Sequence, residues 1–338
     1  MKILIIESCE KVLNEKINSS IVHVRNSIIL RDLLNIDLIS HISEIDKAMK
    51  YKYDAIICSY SSPYMKYDSY LQILDNNPDA KLYWLVNDHD VEDNILLRKW
   101  IIKHNKSFNM ICNNPRESYR GWILRKAIHE KTLNDWINEW HTVNLNVLIF
   151  NENEFNKPIK RKKDIIYYGT FRKYRIDDLL KYNNVNYHLS SSKKNHDKFI
   201  DAGIIARFIN RIQWEELEED LFSFDGVYLK DYKYSLYVED KHTHDNYAFM
   251  ANRFYECVMS NTILFYDANC HQTIKKSGYN ISPFQIVNNG VELQQKLDLI
   301  DSDSDMYKTI LEIQQSNVEI IKKERINLIE SLQKVLAL

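Results

Sequence analysis

Arg253 and Glu256 stand three residues apart in Asp245-Asn-Tyr-Ala-Phe-Met-Ala-Asn-Arg-Phe-Tyr-Glu256, just ahead of the apolar run Thr262-Ile-Leu-Phe-Tyr266. The spacing predicts a shared helix face near a helix start, where free backbone amides favour anions. A guanidinium there suits a diphosphate, and a carboxylate accepts hydrogen bonds from ribose hydroxyls. Taken alone, the pair reads first as a solvated i,i+3 ion pair, which is common and weakly stabilising. A second group follows Asp164-Ile-Ile-Tyr-Tyr168: Gly169 allows close backbone approach, Thr170 offers a hydroxyl and an amide at a helix entry, and Arg172 and Arg175 follow. Two arginines at a strand end can clamp a diphosphate. The competing reading is a plain strand–turn–helix with solvated arginines. Both groups fall in the same half of the chain, which favours the phosphate site.

In the first half, Asp88 follows Lys81-Leu-Tyr-Trp-Leu-Val86 by two residues, where a doubly wound domain displays catalytic groups. It reads as a general base, or as a helix N-cap in competition with Asn87 and Asp90. His242 and His244 are two apart, but no third or fourth metal ligand is evident, so a loop is the simpler reading. The basic run 160–163 and the pair Lys193-Lys194 read as solvated linker and loop, with a phosphate backbone as the alternative. Trp122, Trp136 and Trp140 sit at helical spacings and read as core.

The elements that must position these residues alternate. Residues 2–6, 37–40, 54–59, 81–86 and 109–112 read as strands, and 21–34, 64–74 and 91–103 as helices. A polar stretch with a proline and a basic run at 151–163 marks a linker. A second alternating half follows, with strands over 164–168, 185–189, 234–238 and 262–266. Its helices are read at 176–181, 214–222, around Arg253, over 291–299 and, broken, over 306–336. The pattern predicts α/β architecture: two doubly wound Rossmann-like domains facing a cleft. The boundaries are 1–155 for the first domain and 164–320 for the second, with a final helix over 321–338.

The chain has 338 residues, enough for two domains. A net charge of −2 offers no global basic field, so any polyanion site is a local patch. Six glycines, none before Gly121, exclude a Gly-rich phosphate loop at the first strand. The five cysteines, odd in number and without a CxxC, fit reduced thiols in a cytoplasmic compartment. The start is too short and too soon charged for a signal peptide, and no apolar run reaches membrane-spanning length.

These segments resemble the DNA β-glucosyltransferases of T-even bacteriophages. The likeness is greatest over 164–175, where that family has a strand, Gly-Ser-Phe-Arg and a second arginine. It extends over 240–266, where the family has Asp-Lys, Asp-Asn, then Arg and Glu three apart and a hydrophobic strand. Weaker matches cover 1–6 and 81–88. The resemblance implies the GT-B fold, with 164–320 as the nucleotide-sugar domain and the helix 321–338 crossing back to the first domain. It also implies a monomeric inverting glycosyltransferase acting in the cytoplasm of an infected bacterial host. The donor is a UDP-sugar, glucose first. The acceptor is a hydroxymethylated base in duplex DNA, 5-hydroxymethylcytosine first, reached by base flipping. By position, Asp88 becomes the base. Arg172, Arg175 and Arg253 hold the diphosphate beside Gly169 and Thr170, Glu256 holds the ribose, and Ile212 lies at the uracil. No tightly bound cofactor is implied, and a divalent cation is left open. The second arginine comes one residue earlier than in the family, and Ser19-Ser-Ile-Val-His23 lacks the family's glutamate by the sugar. The alternatives are transfer to a cell-surface glycan or small molecule, and a non-catalytic nucleotide-binding module.

Overall fold

The computed structural model describes residues 1–7, 22–39, 42–59, 69–86, 95–113, 115–118, 127–128, 131–155, 163–210, 229–239 and 249–337. They form two compact units, Met1–Leu148 with Glu324–Leu338, and Ile149–Lys323.

In the first unit the chain runs β1 (Ile3–Ile6), α1 (Val22–Leu34), β2 (Asp37–Ile39), β3 (Ala55–Ser59), α2 (Ser69–Asn76), β4 (Lys81–Val86), α3 (Ile95–His104), β5 (Phe108–Cys112) and β6 (Ile137–Thr142). The sheet is parallel in the order β2-β1-β3-β4-β5-β6. Every residue of β1 and β3 is buried, as expected of parallel strands covered on both faces. Alternate side chains, among them Leu4, Ile6, Ile56, Cys58 and Trp84, build one core cluster on one face. Trp136 and Trp140 pack on the core as read, but Trp140 does not lie on a helix. Trp140 lies in β6, with Trp136 in the short turn before it, and both pack against that cluster. The exposure of this edge strand, with Asn138, Glu139 and Thr142 at the surface, hides it from a search for apolar runs.

The second unit follows with β7 (Lys163–Tyr168), α4 (Ile176–Leu180), β8 (His188–Ser191), α5 (Lys193–Asp201), β9 (Arg207–Asn210), β10 (Tyr232–Tyr237), α6 (Asn252–Ser260), β11 (Ile263–Asp267), α7 (His271–Ser277), β12 (Ile286–Val287), α8 (Gly290–Ser302) and α9 (Ser304–Gln315). The final helix, α10 (Asn317–Leu336), begins here and finishes in the first unit. The parallel order is β9-β8-β7-β10-β11-β12. A core of Tyr167, Tyr234, Leu236, Phe265 and their neighbours fills one face. β8 starts three residues later than the run 185–189 predicts. Val185 and Tyr187 are buried from a turn in which Val185 N–H donates to Tyr182 O at 3.0 Å, so they belong to the core before they belong to the strand. Lys193 and Lys194 open α5 and are not in a loop. The segment 214–222 lies outside the described residues.

Candidate functional site

β7 and β10 are neighbours although two strands separate them in sequence, and the sheet order reverses between them. Such a reversal leaves a crevice beyond the carboxyl ends of the strands, where doubly wound domains take ligands. Gly169 directly follows β7, Glu239 follows β10 by two residues, and Arg253 is the second residue of α6.

Gly169 has φ +152°, a conformation that L side chains rarely adopt. Its N–H donates to Ser190 O at 3.1 Å, and its carbonyl accepts from Ser191 Oγ at 2.7 Å. A Cβ at Gly169 would lie 3.3 Å from Arg253 Nη2, so the missing side chain lets the guanidinium rest against the backbone. Arg253 is 6% exposed. Its Nη1 donates to Glu239 Oε1 at 2.8 Å and its Nη2 to the Tyr168 carbonyl. The rings of Tyr167 and Tyr168 stand 4.9 and 4.8 Å from the guanidinium carbon, within cation–π range. Arg175 Nη2 meets the other Glu239 oxygen, Oε2, at 2.7 Å, and Nη1 donates to the Tyr167 hydroxyl at 3.4 Å. One buried carboxylate thus bridges two guanidiniums. Burial opposes the charge on Arg253, but Glu239 and the phenols of Tyr167 and Tyr168 outweigh it and push the pKa up. The cluster of two arginines and one glutamate carries one formal positive charge.

Glu256 is 1% exposed and accepts from the Tyr168 hydroxyl at 2.5 Å. Burial, then the Glu256 carboxylate, push the Tyr168 phenol well above its ordinary range, so it remains a donor. Arg253 and Glu256 do share a face of α6, but the solvated pair suggested by their spacing is not formed. The guanidinium goes to Glu239 and the carboxylate to Tyr168. At the start of α6, Ala251 supplies no side-chain cap, and its N–H donates to the Tyr237 hydroxyl at 2.9 Å.

The structure therefore gathers Gly169, Arg175, Arg253 and Glu256. Thr170 and Arg172 are exposed on the segment leading from Gly169 to Arg175. Asp88 and Ile212 lie outside the described residues, as do His242 and His244. Sequence reasoning missed Glu239. Its signal was available: an acid directly after the apolar run 234–238, two residues beyond the end of β10. In the first unit, the corresponding reversal falls between β1 and β3. There the fully buried Glu7 follows β1 and accepts from Ser27 Oγ at 3.0 Å, with the buried Ser59 ending β3. Among the described residues no cluster of three His, Cys, Asp or Glu side chains could hold a metal ion.

Two doubly wound parallel sheets in these orders match the GT-B fold. Solved structures share it along the whole chain. One is a mutant of T4 phage β-glucosyltransferase in complex with UDP-glucose, 17% identical, covering 100% of both chains with a TM-score of 0.72. The same T4 enzyme in complex with UDP and Mn2+ is 17% identical over 100% of both chains, with a TM-score of 0.69. Anabaena HepE in complex with UDP and glucose is 10% identical, covers 100% of this chain and 99% of its own, and gives a TM-score of 0.51. No family model matches the sequence, and no curated protein matches it.

Proposed function

We propose that the protein is an inverting glycosyltransferase that moves a hexose, glucose first, from a UDP-sugar to the hydroxymethyl group of a modified base in DNA. The observation that carries the reading is the pair of guanidiniums at the reversal between β7 and β10, Arg253 buried and Arg175 partly buried. Two planar cations side by side suit the adjacent charges of a diphosphate, and α6 adds the positive end of its dipole. In this reading the arginines stabilise the charge that grows on the departing UDP, and Glu256 accepts from the ribose. Asp88, two residues beyond β4, takes the proton from the acceptor oxygen as it attacks the anomeric carbon.

The donor is supported by the UDP-glucose and UDP complexes of the fold neighbours. The DNA acceptor is supported by the likeness to a β-glucosyltransferase that is a DNA modifying enzyme. The test is incubation with radiolabelled UDP-glucose and DNA containing 5-hydroxymethylcytosine or 5-hydroxymethyluracil, with and without Mn2+, followed by mass analysis of the nucleosides. Label in a hydroxymethylated nucleoside is the expected result. Label in an added saccharide and none in DNA would instead support a glycan acceptor. Asp88→Ala is expected to lower transfer by about 10²–10⁴ while UDP still binds. Equal transfer by that variant would remove Asp88 from the mechanism.

A further inference from the structure

We propose that Glu239 is an internal counter-anion: it holds Arg175 and Arg253 together in the ligand-free protein and gives way to the diphosphate when nucleotide binds. The proposal rests on the functional reading above. Its ground is the geometry of the bridge. The two oxygens of one carboxylate each take a separate guanidinium, at 2.8 Å from Arg253 Nη1 and 2.7 Å from Arg175 Nη2. A phosphoryl group also presents neighbouring anionic oxygens, and a guanidinium donates to either anion. The carboxylate therefore has the chemistry of the group that the site is built to receive.

Burial makes a resident anion necessary. The side chains of Glu239 and Arg253 are 8% and 6% exposed, and Arg175 is 13% exposed. Two guanidiniums so placed repel one another and are poorly solvated, so leaving them without an anion would be costly. Glu239 removes that cost in the absence of ligand. With it in place, the cluster offers one net positive charge to an incoming diphosphate, and without it two. Glu239 thus competes with the ligand for the same two arginines and sets the affinity of the site. It is a positioning and specificity residue, and it takes no part in bond making.

Glu239→Gln keeps the shape of the side chain and removes its charge. The experiment measures UDP binding by calorimetry, and the melting temperature with and without UDP, for wild type, Glu239→Gln and Arg253→Gln. The expected result for Glu239→Gln is a lower melting temperature without ligand and a larger rise on adding UDP than in wild type. Its Kd for UDP should fall by about tenfold. A Kd that is unchanged or raised in Glu239→Gln, while Arg253→Gln abolishes binding, would overturn the proposal and make Glu239 a fixed support. Absence of UDP binding in wild type would overturn the nucleotide site itself, and the proposal with it. If Glu239→Gln does not fold, Glu239→Asp carries the test. Its carboxylate is one methylene too short to bridge both arginines, so tighter UDP binding than in wild type supports the proposal, and equal or weaker binding overturns it.

Discussion

Arg253 meets four groups that only an arginine can serve together: the Glu239 carboxylate, the Tyr168 carbonyl and two tyrosine rings. A lysine at this position keeps the charge but loses the fork. Arg253→Lys is expected to lower kcat/KM for the UDP-sugar by about 10²–10³, measured by steady-state transfer. A rate within a few-fold of wild type would show that charge alone suffices. Gly169 is constrained by both its backbone and its neighbour. With φ at +152° and Arg253 Nη2 3.3 Å from a would-be Cβ, Gly169→Ala combines backbone strain with crowding of the guanidinium. It is expected to destabilise the fold by about 1–3 kcal/mol and to weaken UDP binding, by thermal melts and calorimetry. Wild-type values on both would remove the role assigned to this glycine.

At the scale of elements, the central strands were legible because a parallel strand buried on both faces is a continuous apolar run. β4 was read to the residue, and β1, β3, β5, β7 and β11 to within one or two. Of the edge strands, β2 was read to within one residue and the others were not legible. β6, β9 and β12 are short or half exposed, so their patterns resemble loops or helices. The same physics divides the site. Gly169, Arg175, Arg253 and Glu256 carry local signals at strand ends and helix starts. The Glu239 bridge depends on β10 lying beside β7, a crossover pairing that no local pattern encodes. The closing helix is also long-range in its effect. Leu328, Leu332 and Leu336 of α10 are buried, and the Tyr83 hydroxyl donates to Val335 O at 2.9 Å, all within the first unit. Leu332→Ala is expected to cost about 2–5 kcal/mol, read as a lowered melting temperature. A loss below about 1 kcal/mol would mean that the helix end is dispensable to that unit.

For the whole molecule, charge and burial set the range of conditions it tolerates. Burial pushes the thiols of Cys58 and Cys257 up to about 12 from an ordinary 9.0. Burial likewise raises the phenols of Tyr182, Tyr237 and Tyr266. These groups bind protons more tightly folded than unfolded. Their contribution is fully present below about pH 9 and, for the two thiols, is lost as pH rises toward 12. The melting temperature should therefore be level up to about pH 9 and fall above it, as circular dichroism melts across that range would register. A melting temperature that held constant or rose to pH 11 would contradict the burial of these side chains.

The reading of the molecule as a sugar-nucleotide enzyme depends on one event, the meeting of a pyrophosphate with two arginines at the strand reversal of the second unit. A crystal structure of the protein with UDP tests this most directly. The account predicts phosphate oxygens within hydrogen-bond distance of Arg175 and Arg253, beyond the ends of β7 and β10, with the ribose at Glu256. Nucleotide bound at another place, with both guanidiniums still joined to Glu239, would contradict it.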